Sequence, residues 1–180
     1  SVGLDITMAT ASNTTADNLN IHIGEATAQT AATGVTVDAI QYETALIDSK
    51  GADGNIISDF EADGITKLTV TGNKTLSVTM ADSTAVSTLP LTTVDASAFT
   101  GSSLTVSAVE ADSGVTVTTG SSALVATVGD GANNVTGTAG DDTITTGSGA
   151  DTISTSDGED TITAGDGANT ITVGAGNATI

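Results

Sequence analysis

From Gly129 to Ile180 the chain repeats itself every nine residues. In rows it reads GDGANNVTG, TAGDDTITT, GSGADTIST, SDGEDTITA, GDGANTITV and GAGNATI. The third column is glycine throughout: Gly131, Gly140, Gly149, Gly158, Gly167 and Gly176. The seventh is a β-branched aliphatic: Val135, Ile144, Ile153, Ile162, Ile171 and Ile180. The fifth is Asn133, Asp142, Asp151, Asp160 and Asn169, and fails only at Ala178. A register held in three columns marks a structural repeat, not an accident of composition.

Each column has a physical meaning. Glycine admits positive φ, so a Gly-x-Gly-x-Asp stretch turns tightly and aims its carbonyls inward. The residues that follow, such as Thr143-Ile144-Thr145, are β-formers that alternate, with the Ile on one face and the threonines on the other. One nonapeptide is therefore a turn plus a short strand, and two make a coil of a flattened solenoid. Residues eighteen apart then stack. Ile144, Ile162 and Ile180 line one wall, and Val135, Ile153 and Ile171 the facing one.

Stacking brings carboxylates together. Asp142 and Asp160 fall one strand spacing apart, roughly 4.8 Å. Like charges at that distance repel by about 3 to 4 kcal/mol at an effective dielectric near 20. A hard divalent cation between the turns converts repulsion into ligation by carboxylate and carbonyl oxygens. Calcium suits such a site, because its coordination is flexible, whereas magnesium demands a stricter octahedron.

These rows resemble the Gly-Gly-x-Gly-x-Asp-x-aliphatic-x repeats of RTX proteins, which form calcium-bound parallel β-rolls and leave bacteria by type I secretion. The likeness covers about the last third of the chain. The first glycine of that pattern is kept at Gly137 but becomes Thr146, Thr155, Ala164 and Val173, and the second becomes Thr138 and Ser156 in two rows. By this resemblance the metal set is Asp142, Asp160 and Asp151, with Gly140, Gly149 and Gly158 in the turns and Asn133 and Asn169 as uncharged members. The best site lies between Asp142 and Asp160, and Asp151 with its Asn neighbours is a poorer second.

Upstream, period-2 segments recur: Leu4–Met8, Leu19–Ile23, Val35–Ile40, Ala45–Ile47 and Ile56–Ile57, then Leu68–Val70, Leu76–Val78, Leu91–Val94, Leu104–Val106, Val115–Val117 and Leu124–Val128. From about Ile65 their regular spacing suits coils of an irregular β-helix better than hairpins, since two-residue Asn-Gly turns are absent. The expectation is an all-β chain, a parallel β-solenoid in one continuous stack. It comprises an N-terminal β-rich section (1–60), an irregular β-helix (61–128) and the nonapeptide roll (129–180). Glu25 to Ala32 is read as a short helical turn, and Pro90 as a strand start or corner.

Composition narrows the function. Aromatic residues make up 2 % of the chain, so thin aliphatic ladders fit better than a thick core. The absence of cysteine leaves no disulfide and no thiolate metal site. A net charge of −19, with Lys50, Lys67 and Lys74 as sole cations, argues against nucleic acid and against docking on an anionic bilayer. No apolar run approaches the roughly eighteen residues of a membrane span. No cleavable signal opens the sequence, and its stop at Ile180 in mid-repeat suggests a piece of a longer protein.

With one histidine, no cysteine and no arginine, catalytic triads, zinc sites and phosphate clamps lack their parts, and the chain is not read as an enzyme. His22 falls on the polar side of its alternation and is read as a solvated residue. Asp141 and Glu159 are read as solvated or peripheral. Thr143/Thr145, Thr161/Thr163 and Thr170/Thr172 should face outward; such rows bind ice on some solenoids, but Thr is also simply a good exposed β-former.

The phrases Lys67-Leu-Thr-Val-Thr-Gly-Asn-Lys-Thr-Leu-Ser-Val-Thr79 and Leu91-Thr-Thr-Val-Asp-Ala-Ser-Ala-Phe-Thr-Gly101 resemble stretches that precede RTX rows in surface-layer (S-layer) proteins of Gram-negative bacteria. That family implies a secreted, cell-surface, calcium-dependent lattice of identical copies, with attachment to surface polysaccharide through a region outside this chain. Large RTX adhesins carry similar phrases and imply a calcium-stiffened extender. The repeat domain of a secreted protease or lipase is a further alternative that lacks its catalytic module here.

Overall fold

Alternation of apolar and polar residues sets the strands. In the computed structural model, residues 4–8, 18–23, 35–39, 42–51, 53–81, 89–120 and 123–180 are described. They form β1 (Leu4–Met8), β2 (Asn18–Ile23), β3 (Val35–Asp38), β4 (Thr44–Ser49), β5 (Asn55–Glu61), β6 (Lys67–Gly72), β7 (Leu76–Ala81) and β8 (Thr93–Ala96). Then come β9 (Ser103–Ala108), β10 (Thr116–Thr119), β11 (Ala123–Val128), β12 (Asn134–Thr136), β13 (Thr143–Thr146), β14 (Thr152–Ser154), β15 (Thr161–Ala164) and β16 (Thr170–Thr172). The helical turn expected at Glu25 to Ala32 lies outside the described residues.

From β2 onward successive strands fall alternately in two sheets. One runs β1-β2-β4-β6-β8-β10-β12-β14-β16 and the other β15-β13-β11-β9-β7-β5-β3. From β2 onward every pairing is parallel, which is the signature of a two-sided β-solenoid. The exception is β1, antiparallel to β2 with Leu4 opposite Ile23. The expected uniform stack therefore holds for β2 to β16 but not for β1. The nonapeptide rows continue the upstream sheets directly: β10 pairs β12, Val117 on Val135, and β11 pairs β13, Ala126 on Ile144.

Coil length alternates along the upstream stack, reaching 26 residues from Lys67 to Thr93 after 23 from Thr44 to Lys67, and is shortest in the last coils. Equivalent positions are 26 residues apart between β2 and β4 and 23 between the turns preceding β4 and β6. From the coil containing Val115 and Asn133 onward they are 18 apart. The core narrows in step. β2 sends Leu19, Ile21 and Ile23 inward, and β9 sends Leu104, Val106 and Ala108, whereas β12 to β15 contribute chiefly Val135, Ile144, Ile153 and Ile162. Ile162 stacks on Ile144, and Ile171 on Ile153 on Val135, as the eighteen-residue period requires. Ile180 is 72 % exposed. In β5, a bulge turns both Ile57 and Phe60 into the core and leaves Ile56 outside.

Outward residues carry the polar load. Thr143, Thr161, Thr163, Thr170 and Thr172 are exposed. His22 lies outward but is only partly solvated. Its register partner is Asp48, and His22 Nδ1 stands 3.3 Å from Asp48 Oδ2. Lys50 Nζ at 2.6 Å and the Thr71 hydroxyl at 3.1 Å converge on the same carboxylate. Burial works to raise the Asp48 pKa, and the bonds from Lys50, His22 and Thr71 outweigh it, leaving the group below its ordinary value.

Candidate metal centre

The turns of residues 129–180 are built on their third-column glycines. Gly149 (φ 149°) and Gly167 (φ 128°) occupy backbone space that L side chains avoid. The coils also approach too closely for a side chain: a Cβ on Gly149 would lie 2.1 Å from the Gly131 carbonyl oxygen, and one on Gly167 1.7 Å from that of Gly149. Turn therefore stacks on turn through glycine alone. Gly140 is the exception, with no positive φ and its nearest neighbour, Ala123, 3.5 Å from such a Cβ.

Fifth-column side chains point inward: Asn133, Asp142, Asp151 and Asp160 are all buried, and Asn169 is partly buried. Each uses one oxygen to accept the backbone N–H one coil earlier. The bonds are Val115 to Asn133 (2.9 Å), Leu124 to Asp142 (2.8 Å), Asn133 to Asp151 (2.9 Å), Asp142 to Asp160 (3.0 Å) and Asp151 to Asn169 (3.0 Å). The result is two columns on opposite edges of the roll. Asn133, Asp151 and Asn169 precede β12, β14 and β16, while Asp142 and Asp160 precede β13 and β15. The structure thus brings together the predicted Asp142–Asp160 pair and keeps Asp151 with its two asparagines.

The remaining oxygens differ between turns. Asp142 Oδ2 accepts the Thr138 N–H at 2.7 Å. Asp151 Oδ2 accepts the Thr146 hydroxyl at 2.7 Å. Asp160 Oδ2 accepts no hydrogen bond among the described residues. Thr155, placed ahead of Asp160 as Thr146 is ahead of Asp151, has a buried hydroxyl with no partner there. Electrostatics single out the same column. Burial raises the Asp142 pKa, and the nearby Asp160 charge adds to it, against bonds from the Leu124 and Thr138 N–H groups.

This donor set fits a hard cation. Its side chains are two buried carboxylates and an unpartnered hydroxyl, all of them oxygens, and the neighbouring turns carry further carbonyl oxygens. Among the described residues no three His, Cys, Asp or Glu side chains gather in one place. A cation would therefore be held by a carboxylate pair completed by carbonyls, a mixture calcium accepts more readily than magnesium. On the other edge, Asp151 is the one carboxylate among three stacked fifth-column side chains, between Asn133 and Asn169.

Another layer was not legible as such. Asp130, Asp141 and Asp157 accept the N–H groups of Ser148 (2.7 Å), Glu159 (2.8 Å) and Ala175 (2.8 Å), one coil later. The bonds from Ser148 hold the Asp130 carboxyl below its ordinary value. Asp141 is thus a turn fastener, and Glu159 contributes its backbone N–H to it. The signal was acidic residues at flanking turn positions, which variable spacing in the rows obscured.

Residues 127–162 and 145–180 match the family of the RTX calcium-binding nonapeptide repeat (4 copies). No curated protein and no solved structure shows significant similarity to the chain. RTX repeats bind Ca2+, occur in extracellular proteins exported by type I secretion, and typically form structural rather than catalytic rolls. The matching residues, 127–180, form the last coils of a longer β-solenoid.

Proposed function

We propose that the chain is a structural rod of a bacterial cell surface, a segment of a self-assembling S-layer in which calcium at Asp142–Asp160, and more weakly at Asp151, fixes the roll. The observation that carries this reading is continuity. β10 and β11 pass their sheets into β12 and β13 without a break, so calcium in the last coils stiffens the same rod that begins at β2. A repeat domain appended to an enzyme would instead be expected to stand apart from its neighbour. A net charge of −19 keeps such rods soluble and mutually repelled until divalent cation neutralises them. Ligands in this reading are the three carboxylates with the carbonyls of the Gly140, Gly149 and Gly158 turns, and the partner is a second copy of the chain.

Electron microscopy of the purified chain in millimolar calcium and after chelation tests the proposal. Sheets or filaments that dissolve with chelator support it. Dispersed particles in both conditions favour the calcium-stiffened extender of a large adhesin, and sheets indifferent to chelator remove calcium from the assembly.

A further inference from the structure

The two edges of the roll are chemically unlike. Asn133 is 2 % exposed, and its amide nitrogen donates to three oxygens: the Gly129 carbonyl at 3.0 Å, the Gly131 carbonyl at 3.1 Å and Asp151 Oδ1 at 3.0 Å. Two turn carbonyls and a carboxylate from the next coil make up the kind of oxygen set a calcium ion takes. Asn169, two coils on, closes its own turn in a similar way, its amide donating to the carbonyls of Ala164 and Gly165. The side-chain oxygens are already spent on the N–H groups of Val115 and Asp151.

We propose that Asn133 and Asn169 are built-in substitutes for the cation: each amide closes its own turn, so this edge of the roll assembles without calcium while the Asp142–Asp160 edge requires it. The proposal rests on the reading that the carboxylate turns take calcium. An amide NH2 offers two N–H groups carrying partial positive charge, which meet carbonyl and carboxylate lone pairs as a metal would. Asp151 shows the consequence. Its Oδ1 accepts both the backbone N–H and the amide of Asn133, its Oδ2 accepts the Thr146 hydroxyl, and its own N–H goes to Asn169. Three protein donors already bind this carboxylate, which makes its hold on calcium the weaker one. Asp160, by contrast, takes one N–H and no other bond among the described residues. Asparagine in this column is therefore a replacement for the metal and not a weak ligand of it.

The test compares wild type with Asn133→Asp, Asn169→Asp and Asn133→Ala, using calcium chloride alone as probe. Equilibrium dialysis counts bound calcium, and circular dichroism follows melting in EGTA and in millimolar calcium. Each Asn→Asp change should lower Tm in EGTA by several degrees, restore it in calcium, and add one bound ion per chain. Asn133→Ala should lower Tm in both conditions and leave the ion count as in wild type. The inference is overturned if Asn133→Ala loses an ion, or if both Asn→Asp variants melt like wild type in EGTA. Asn169, less buried, keeps the comparison available should Asn133→Asp not fold without metal. A wild type that binds no calcium would sink the broader reading instead; the substitution idea then survives only if an Asn→Asp variant gains an ion.

Discussion

Replacing Asp160 by Asn should stabilise the calcium-free chain. Asp142 donates its N–H to Asp160 Oδ1 at 3.0 Å, so the two side chains stand one coil apart. At a strand spacing of about 4.8 Å and an effective dielectric near 20, their charges repel by roughly 3.5 kcal/mol. Screening by salt at the roll edge leaves on the order of 1 to 3 kcal/mol to recover. An amide keeps the acceptor that the Asp142 N–H needs, and its own N–H groups can turn to the carbonyls behind it, as those of Asn169 do. For a chain of this size each kcal/mol moves Tm by about 2 to 4 °C, so Asp160→Asn should melt roughly 3 to 10 °C higher than wild type in EGTA. In saturating calcium the order should reverse, because the variant has lost a charged ligand. Melting by circular dichroism in the two buffers reads both effects. A variant that melts at or below wild type in EGTA would refute the stacked-repulsion argument.

Three further outcomes are expected. Gly149→Ala, with φ 149° and a Cβ 2.1 Å from the Gly131 carbonyl, should cost at least about 2 kcal/mol, whereas Gly140→Ala, with 3.5 Å of room and no positive φ, should cost far less; urea unfolding of the pair checks the contrast. Thr155→Val removes a buried hydroxyl that has no partner among the described residues, so stability in EGTA should hold or rise by up to about 1 kcal/mol while calcium affinity falls; a lower Tm in EGTA would mean that the hydroxyl is bonded after all. Asp48, its pKa held below the ordinary carboxylate value by its bonds to Lys50, His22 and Thr71, stabilises the fold when charged, above its unfolded value, and that contribution is lost as pH falls through the depressed one. Asp48→Asn should therefore trail wild type by a few degrees at most at pH 7, with the gap closing below about pH 4; a gap that persists at pH 2 would show that the Lys50 and His22 contacts contribute nothing.

The nonapeptide columns read almost directly into structure, because each row confines one glycine, one acid or amide and one aliphatic to fixed duties. Ile144 over Ile162 and Asp142 over Asp160 followed from the number eighteen. Upstream strands were equally legible from alternation, yet their coil lengths were not, since turns of unequal size displace no inward residue and leave no periodic trace. The antiparallel β1 had no signal, as Leu4–Met8 alternates whichever way its neighbour runs. His22 read as a solvent residue because its partner Asp48 is 26 positions away. The asparagines were the subtler case: the sequence shows an oxygen that can ligate, and only the folded turn shows that oxygen already committed and the nitrogen facing the carbonyls.

The short late coils have a consequence for how the rod comes into being. β2, β7 and β9 each bury three apolar side chains, whereas β12, β14 and β15 each bury a single valine or isoleucine. In a linear array each repeat is stabilised by itself and by the neighbour it stacks on. The broad end therefore carries the means to order itself, and presents to the narrow end a finished edge of parallel N–H and C=O groups on which the next coil can condense. Such an edge gives the stack a direction, from the broad coils toward the eighteen-residue ones.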